Sequence, residues 1–448
     1  MTATEERSQG IIPLSFSQRG LWFLNQLYPS DTSYHVRLVW RFSGDLDEFA
    51  LQQALCDVVL RHESLRTVLP ETDGVPEQRV MSLADLGPLL VCVRTSDEKA
   101  DEAEEVFATR GFDLRTDIPL RGEVLRVDPG RGLLVLVVHH VAFDGWSEAI
   151  FCRDLSRAYT ARSVGVAPHW PELPVQYADY ALWQHELLGD ERDPDSLVAR
   201  QLCYWRDRLG GLPQESGLAA DQRTRATGPI RTRSFRVDAD THRGMARQAQ
   251  RTGATMFMVV HAALAAAITT LGGATDLPLG TVVSGRSDEA LNELVGYFTN
   301  TVVLRTDTSG SPTFTELLGR VREVDLGAFA NQDAPFEKVV AAVNPRRRRV
   351  GSPLIQVLFR VEEQAKPTLD MGPVHFEYQE RANTAAKFDI EVVLEEEFAD
   401  DGEPQGLAGT IEYRSDAFEA ARMDALAEEL VRSLMAIAAD PDSRIDAS

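Results

Sequence analysis

Cysteine is scarce in this sequence, with four residues among 448. Cys56, Cys92, Cys152 and Cys203 show none of the spacings that zinc sites require. Four scattered cysteines in a long chain are typical of small buried residues in a reducing compartment. The sequence therefore predicts neither a disulfide nor a metal site.

Long apolar runs are also missing. No segment approaches the ~20 apolar residues that span a bilayer, and the opening MTATEERSQG lacks the basic and apolar regions of a secretion signal. We therefore expect no membrane partner and a cytoplasmic location.

Positive charge is in deficit, with 46 lysines and arginines against 69 aspartates and glutamates and a net charge of −23. Proteins that bind nucleic acids by electrostatics need positive surface, so this composition excludes that class. The exception is Arg346–Arg349. A solvated loop is favoured there over a contact with phosphate or an acidic partner.

The most informative stretch is LLVLVVHHVAFDGWS, Leu133–Ser147. Its six aliphatic residues predict a strand that is buried on both faces. Side chains alternate along a strand, so His139 and His140 point in opposite directions if the extended backbone persists. A turn at Asp144-Gly145 and a helical pattern follow, which places the histidines on a rigid mount between a strand and a helix.

The chain exceeds the usual size of one domain, so two domains of roughly 200 residues each are expected. The proline-rich segment 165–174 has no periodicity and is predicted to connect domains 1–175 and 176–448. Both halves alternate helical and strand patterns, which indicates two α/β sandwiches. The predicted helices are 13–28, 47–62, 147 onward, 177–188 continuing to about 209, 255–271, 312–331 and 417–438. The predicted strands are 34–42, 133–138, 277–283, 301–305, 354–362, 388–398 and 409–413.

Seven stretches together resemble the core motifs of condensation domains from nonribosomal peptide synthetases. They are LSFSQRGLWFL (Leu14–Leu24), RHESLRT (Arg61–Thr67), HHVAFDGWS (His139–Ser147), YADYALWQ (Tyr177–Gln184), VGYFTNTVVLR (Val295–Arg305), NQDAPFEKVV (Asn331–Val340) and the looser RRVGSPL (Arg348–Leu354). The HHxxxDG pattern alone occurs in several acyltransferase families. The other six stretches, in family order, narrow the resemblance.

The resemblance implies two chloramphenicol-acetyltransferase-like lobes arranged as a V-shaped pseudo-dimer, with elements of the second lobe crossing over to close a tunnel. Two peptidyl carrier proteins would bring an acyl or peptidyl donor and an aminoacyl acceptor on phosphopantetheine arms, and the domain itself would bind no cofactor. The product would be an amide on the acceptor carrier. An adenylation domain downstream and a monomeric excised domain are further expectations.

The residues fit this chemistry. A thioester is already activated, so orienting the amine against it is the main task, and no covalent nucleophile is needed. His140 could accept the amine's proton or a hydrogen bond that aligns it, and the Gly145 N–H is a candidate donor to the developing oxyanion. Asp144 is assigned a structural role, because the family implies a loop-locking pair with an arginine. Arg66 is the first candidate for that arginine and Arg61 the second.

The remaining candidates have simpler structural interpretations. His139 is predicted to be a hydrogen-bonded core residue. Trp22, Trp183 and Tyr297 are more often core aromatics than ligand contacts. Asn300 and Gln332 are tunnel candidates, although polar residues near the ends of elements commonly bind backbone groups.

Gly20 departs from the family, which usually has arginine at this position of LSFSQRGLWFL. Glycine inside a helix costs up to ~1 kcal/mol relative to alanine. The change is either drift or a selected or deliberate replacement. Our hypothesis is that the missing side chain opens the channel near the active site.

Four alternatives stay open. An epimerisation domain shares the double histidine, but NQDAPFEKVV is the condensation type of element. Heterocyclisation domains replace the first histidines with an aspartate pattern. A catalytically silent docking platform is disfavoured by intact His140, Asp144 and Gly145. A free-standing acyltransferase is a further option, although the tail IAADPDSRIDAS suggests a linker to another module. The substrates, their stereochemistry and the final peptide are not encoded in these patterns.

Overall fold

The computed structural model describes residues 11–213, 218, 229–344, 353–363, 368–381, 387–399 and 401–445. Its α-helices in chain order are α1 Phe16–Leu27, α2 Glu48–Arg61, α3 Asp97–Ala108, α4 Gly145–Ser163, α5 Tyr177–Leu188, α6 Leu197–Leu209, α7 Ala239–Thr252, α8 Met256–Gly272, α9 Phe314–Phe329, α10 Phe336–Val343 and α11 Ala420–Ala439. Its strands are β1 Ile12–Pro13, β2 His35–Ser43, β3 Thr67–Val68, β4 Glu71–Thr72, β5 Val75–Val80, β6 Leu90–Arg94, β7 Leu120–Asp128, β8 Arg131–His139, β9 Ile230–Asp238, β10 Asp276–Val283, β11 Asn300–Asp307, β12 Val357–Glu363, β13 His375–Tyr378, β14 Ile390–Phe398 and β15 Pro404–Arg414.

The described residues separate into two compact units. The first unit contains the chain up to Gly189 together with Ser284–Thr299 and the described part of Lys366–Arg381. The second contains the described parts of Asp190–Val283, Asn300–Ala365 and the C-terminal remainder. The sequence predicted one boundary at residue 175, whereas two later segments of the chain belong to the first unit.

The first unit is organised around a five-stranded sheet in the order β13-β2-β8-β7-β6. Its neighbours are antiparallel except β6 and β7. Leu134, Leu136 and Val138 of β8 belong to one core cluster, with residues of α2 and α4. The alternate residues of β8 belong to a second cluster, with residues of α1 and α3. Helices thus cover both faces of β8, which confirms the strand predicted from its aliphatic run.

The second unit contains a six-stranded sheet in the order β11-β10-β12-β14-β15-β9. Strand β12 pairs in parallel with β10 and β14, and the other neighbours are antiparallel. The alanine-rich helix α8 is buried along most of its length. Small side chains let a helix pack closely on all sides, which explains its composition. The mixed α/β class predicted for both halves is confirmed.

Two composition-based expectations have structural outcomes. Cys152 is buried and Cys56 is half-buried, but Cys92 and Cys203 are exposed, so the prediction of four buried thiols is wrong for the last two. Within the described residues, no single helix is long and apolar enough to span a membrane. Helices α7 and α8, which are bent by 106° relative to each other, meet the length and composition criteria only as a pair.

His35 makes the stability of the first unit depend on pH. It pairs with His139 across β2 and β8, and its Nδ1 lies 3.0 Å from the Ala108 carbonyl. Burial lowers the pKa of His35 to about 4, from the ordinary value of 6.5. As pH falls, this residue therefore binds a proton in the unfolded chain at a higher pH than in the folded protein, which favours unfolding. We expect His35 to lower the free energy of unfolding by about 2 kcal/mol as the pH falls from 7 to 5.

Urea unfolding of the His35→Leu variant at both pH values measures this effect. The loss between pH 7 and pH 5 should be smaller in the variant, while His375→Gln, which removes an exposed histidine from β13, should leave it unchanged. An identical pH dependence in all three proteins would contradict the assignment to His35.

Candidate active site

The two adjacent histidines lie in different environments. Strand β8 ends at His139, which is 2% exposed and whose Nδ1 accepts a hydrogen bond from the Val141 N–H at 3.1 Å. His140 begins a short 3-10 turn, His140–Ala142, and is partly exposed. The extended backbone ends between the two residues, so strand alternation does not determine the direction of His140. The bond to Nδ1 lets the His139 ring brace the turn.

The turn that carries His140 is fixed by its backbone. The His140 N–H donates to the Tyr34 carbonyl at 2.8 Å, and the Val141 carbonyl accepts from Gln18 Nε2 at 3.2 Å. Gln18 is buried in α1, the helix that also carries Gly20. These bonds give the imidazole a rigid base, as a positioned proton acceptor requires.

Asp144 is 1% exposed and both of its carboxylate oxygens are engaged. One oxygen accepts from the Ser147 N–H at 2.9 Å, from the Ser147 hydroxyl at 2.8 Å and from Arg286 at 3.2 Å. The other accepts from the Phe298 N–H at 3.1 Å. The residue thus caps α4 and ties it to the segment 284–299, a geometry that fits a structural role.

The arginine partner predicted for Asp144 is wrong. Arg66 pairs with Glu63 at 3.3 Å and Arg61 pairs with Asp154 at 2.9 Å. Each of these arginines therefore serves a different carboxylate of the first unit, and Asp144 receives its cation from elsewhere in the chain.

Arg286 supplies that charge from a buried position, with a side chain 4% exposed. Its guanidinium also donates to the carbonyls of Leu291 and Leu294, the latter at 2.9 Å, and lies 4.1 Å from the centre of the Phe298 ring. A buried ion pair is tolerated only when further hydrogen bonds satisfy its members. Asp144 meets this condition through both oxygens. Arg286 meets it through its two terminal nitrogens, while its buried Nε has no hydrogen-bond partner among the described residues.

A second buried network involves His62 of the RHESLRT motif. Its Nε2 lies 2.9 Å from Asp154 and its Nδ1 accepts from the Val295 N–H at 3.3 Å. Burial lowers the pKa of His62. Burial alone would raise the pKa of Asp154, but hydrogen bonds and charges from His62 and Arg153 hold it below its usual range. His62 thus braces α4 against the segment 284–299.

Gly145 is the first residue of α4 and is exposed, as is Trp146 with half of its surface accessible. A Cβ added at Gly145 would meet nothing within 4 Å. The first N–H groups of a helix have no partner inside the helix, and the helix dipole favours negative charge there. The glycine therefore leaves open space beside a helix terminus that suits a developing oxyanion.

Two of the predicted tunnel candidates have identified partners within their own units. Trp183 is 38% exposed and packs against Tyr180, with ring centres 6.0 Å apart. Asn300 donates to the carbonyls of Gln332 and Ala334 at 2.7 and 2.8 Å, and its oxygen accepts from two backbone N–H groups. Its amide therefore links β11 to the NQDAPFEKVV segment. This agrees with the simpler expectation that a polar residue near the end of an element binds backbone groups.

Gly20 lies inside α1 and is partly exposed. Trp22 on the same helix is nearly buried, and its indole N–H donates to the Leu69 carbonyl at 3.0 Å.

Tyr297 lies closer to His140 than its interpretation as a core aromatic suggests. Its ring centre lies 5.3 Å from that of His140, with the ring planes at 72°.

Two sequence features lie partly or wholly outside the described residues. Arg346–Arg349 falls entirely outside them, and the RRVGSPL motif is described only from Pro353. Where the structure does describe the chain, it contains no group of three or more histidines, cysteines or carboxylates that could hold a metal ion.

Sequence reasoning missed Arg286 and Ser147 and underrated Tyr297. Arg286 lies 142 residues from Asp144, so no local spacing could pair them. Ser147 belongs to the quoted HHVAFDGWS stretch, and its place three residues after Asp144 is a capping-box signal. The proximity of Tyr297 to His140 depends entirely on tertiary structure.

Comparison with known proteins gives a family model, described as Condensation domain, that matches residues 8–448. An isonitrile lipopeptide synthase from Mycobacterium tuberculosis is 44% identical over 97% of this chain. A dimodular nonribosomal peptide synthase from Bacillus subtilis is 41% identical over 97%. The chain spans only 18% of the length of each of these relatives.

Two solved structures show the similarity in fold. The X-domain in its complex with OxyB from teicoplanin biosynthesis matches with a TM-score of 0.90 and 33% identity, over 98% of this chain and 96% of that one. The first condensation domain of the calcium-dependent antibiotic synthetase, in complex with a substrate analogue, matches with a TM-score of 0.76 and 21% identity, over 98% and 99%.

Proposed function

The chain belongs to the condensation-domain family, and from this membership we propose that it joins a carrier-bound acyl or peptidyl thioester to a carrier-bound aminoacyl group within a nonribosomal peptide synthetase. The product is a peptide bond on the acceptor carrier. The observation that supports this most is the contrast between His140, partly exposed on a braced turn, and Asp144, buried with both oxygens engaged.

The proposed chemistry needs little beyond orientation and one proton acceptor. An α-amino group has a pKa of about 7.7–8.0, so most of it is protonated at neutral pH and must lose a proton to attack. His140 accepts that proton or the hydrogen bond that aligns the amine. Positioning two reactants contributes roughly 7–11 kcal/mol, and the N–H groups at the start of α4 stabilise the oxyanion.

The proposed partners follow from the same chemistry. The donor and acceptor arrive as thioesters on the phosphopantetheine arms of two carrier proteins, and an adenylation domain supplies the aminoacyl group. The curated relatives support this setting, because this chain matches only a small part of each synthetase.

A docking platform is the second candidate function. The X-domain that matches this chain with 33% identity was solved in complex with OxyB, so this fold also serves to recruit another protein. His140, Asp144 and Gly145 in the positions of the acyltransferase motif favour the enzyme instead.

The test loads donor and acceptor carriers with candidate substrates, mixes them with the protein in D₂O and follows each carrier by intact-protein mass spectrometry. Amide formation moves the donor's acyl mass onto the acceptor. An epimerisation domain would exchange the α-hydrogen for deuterium without lengthening the chain. A docking platform would leave both loads unchanged, and either of these results would refute the proposal.

Gly20 provides a test of substrate access. In the condensation domains that this chain resembles, the opening helix borders the catalytic motif, so we propose that the missing side chain of Gly20 on α1 widens the approach to the imidazole. Gly20→Arg should slow amide formation and stabilise the protein by up to ~1 kcal/mol, because arginine is a good helix former. The rate and the urea unfolding curve measure the two effects.

Gly20→Ala is the matched control for this variant. It gives a similar gain in helix stability without the long side chain, so its rate should stay that of the parent protein. If Gly20→Arg and Gly20→Ala form amide equally fast, the access hypothesis fails.

A further inference from the structure

The backbone of residues 295–299 is held by side chains from earlier parts of the first unit. The bonds are Val295 N–H to His62 at 3.3 Å, Val295 C=O to Ser64 at 2.7 Å, Gly296 N–H to Ser147 at 3.1 Å, Tyr297 C=O to Tyr177 at 2.5 Å, Phe298 N–H to Asp144 at 3.1 Å and Thr299 C=O to Ser17 at 3.2 Å. Every residue of this segment is therefore fixed through at least one backbone group.

The side chains on either side of Tyr297 are explained by packing. A Cβ at Gly296 would lie 2.3 Å from a ring carbon of Tyr177, so only glycine fits there. Phe298 is buried and packs edge-to-face against Tyr177 and Tyr180. Packing therefore accounts for both residues without a direct role in the proposed reaction.

Tyr297 differs from these neighbours, because it is partly exposed and its ring meets the His140 imidazole edge-to-face at 5.3 Å. We propose that Tyr297 is a positioning residue that fixes the orientation of the His140 imidazole, and that the segment 295–299 is anchored in order to hold this ring in place. The proposal rests on the proposed function, since it concerns the histidine of that reaction.

Physical chemistry supports this role for the ring. The turn fixes the backbone of His140 but leaves rotation about its side-chain bonds, and an edge-to-face aromatic contact restricts that rotation. A proton acceptor that points away from the amine for part of the time lowers the turnover rate more than it weakens substrate binding. The ring of Tyr297 therefore acts on kcat through His140.

The kinetic test compares Tyr297→Ala with Tyr297→Phe. We expect alanine to lower kcat for amide formation about tenfold with KM for both carriers changed less than about twofold, and phenylalanine to retain kcat within about threefold. Tyr204→Ala is the matched control, because Tyr204 of α6 is also partly exposed and makes the same kind of edge-to-face contact, with Trp205 at 5.0 Å, in the second unit.

The control variant should lose stability and keep kcat. A loss of kcat in Tyr297→Ala that is matched by Tyr204→Ala would assign Tyr297 to packing alone. A loss that phenylalanine does not restore would assign the effect to the tyrosine hydroxyl. Either result would overturn the proposal. Equal kcat in Tyr297→Ala and the parent protein would overturn it as well.

An NMR measurement tests the contact without any turnover. In protein labelled with ¹³C at histidine Cε1, the His140 signal is identified by its loss in His140→Ala. Tyr297→Ala should shift this signal, because the tyrosine ring current is removed, and should lower the order parameter of the ring C–H, because the restraint on rotation is removed. Tyr297→Phe should change it little. An unchanged signal in Tyr297→Ala would overturn the positioning role, whereas a parent protein that forms no amide would refute the proposed function.

Discussion

His140→Ala should slow amide formation between loaded carriers by about 10²- to 10⁴-fold. This is the usual contribution of a positioned proton acceptor, and His140 is the partly exposed histidine at the end of a braced strand. The loss should appear in kcat, with little change in the stability of the protein. Single-turnover rates with preloaded carriers measure the chemical step directly.

His140→Gln separates the two roles open to this residue. Glutamine can accept a hydrogen bond from the amine but cannot take its proton. If His140 aligns the amine, the glutamine variant should retain much of the rate and gain activity as pH rises above the pKa of the amine. If it takes the proton, both variants should be equally slow. A His140→Ala rate within about threefold of the parent rate would contradict any catalytic role.

Arg286→Ala should lower the free energy of unfolding by about 3–5 kcal/mol, because it leaves the Asp144 carboxylate buried without its cation. The variant also removes the donor to two backbone carbonyls and the contact with the Phe298 ring. Amide formation should fall with it, since Asp144 holds the start of α4. Urea unfolding at pH 7 gives the change in stability.

Arg115→Ala is the matched control, because Arg115 pairs with Asp113 at 2.9 Å on the surface, with about half of each side chain exposed. An exposed pair contributes little to stability, so Arg115→Ala should leave the urea unfolding curve nearly unchanged. The double variant of Arg286→Ala with Asp144→Ala should lose less stability than the sum of the two single variants. Additive losses, or a loss under about 1 kcal/mol in Arg286→Ala, would show that this buried pair does not hold the site.

The elements that sequence patterns predicted well are those whose environment is uniform along their length. Helix α5 begins at Tyr177, as its pattern predicts, and β8 follows its aliphatic run, although the helical pattern that continued to about residue 209 is broken between Leu188 and Leu197. Strand β9, with the sequence IRTRSFRVD, was missed. Three arginines interrupt its apolar positions, and it lies at the exposed edge of the six-stranded sheet, where burial imposes little pattern.

The residues of the candidate site likewise fall into those that local sequence patterns predicted and those that they missed. His139, His140, Asp144 and Gly145 are close in sequence, so the patterns predicted the strand, the turn and the helix start that carry them, but not the break in the extended backbone between the two histidines. Arg286 and Tyr297 reach the site because the segment 284–299 belongs to the first unit although it follows most of that unit by more than a hundred residues. Neither spacing nor periodicity encodes such a pairing, which is why Arg66 and Arg61 were chosen wrongly.

The account's central claim is direct attack of the acceptor amine on the donor thioester at His140, with no acyl group passing through the protein. Rapid quenching during a single turnover, followed by intact-protein mass spectrometry of all three proteins, tests it most directly. We predict that the acyl mass leaves the donor carrier and appears on the acceptor carrier at the same rate, while the mass of this chain stays constant. An acyl adduct on this chain that forms and decays during the turnover, or two carriers that keep their loads, would contradict the claim.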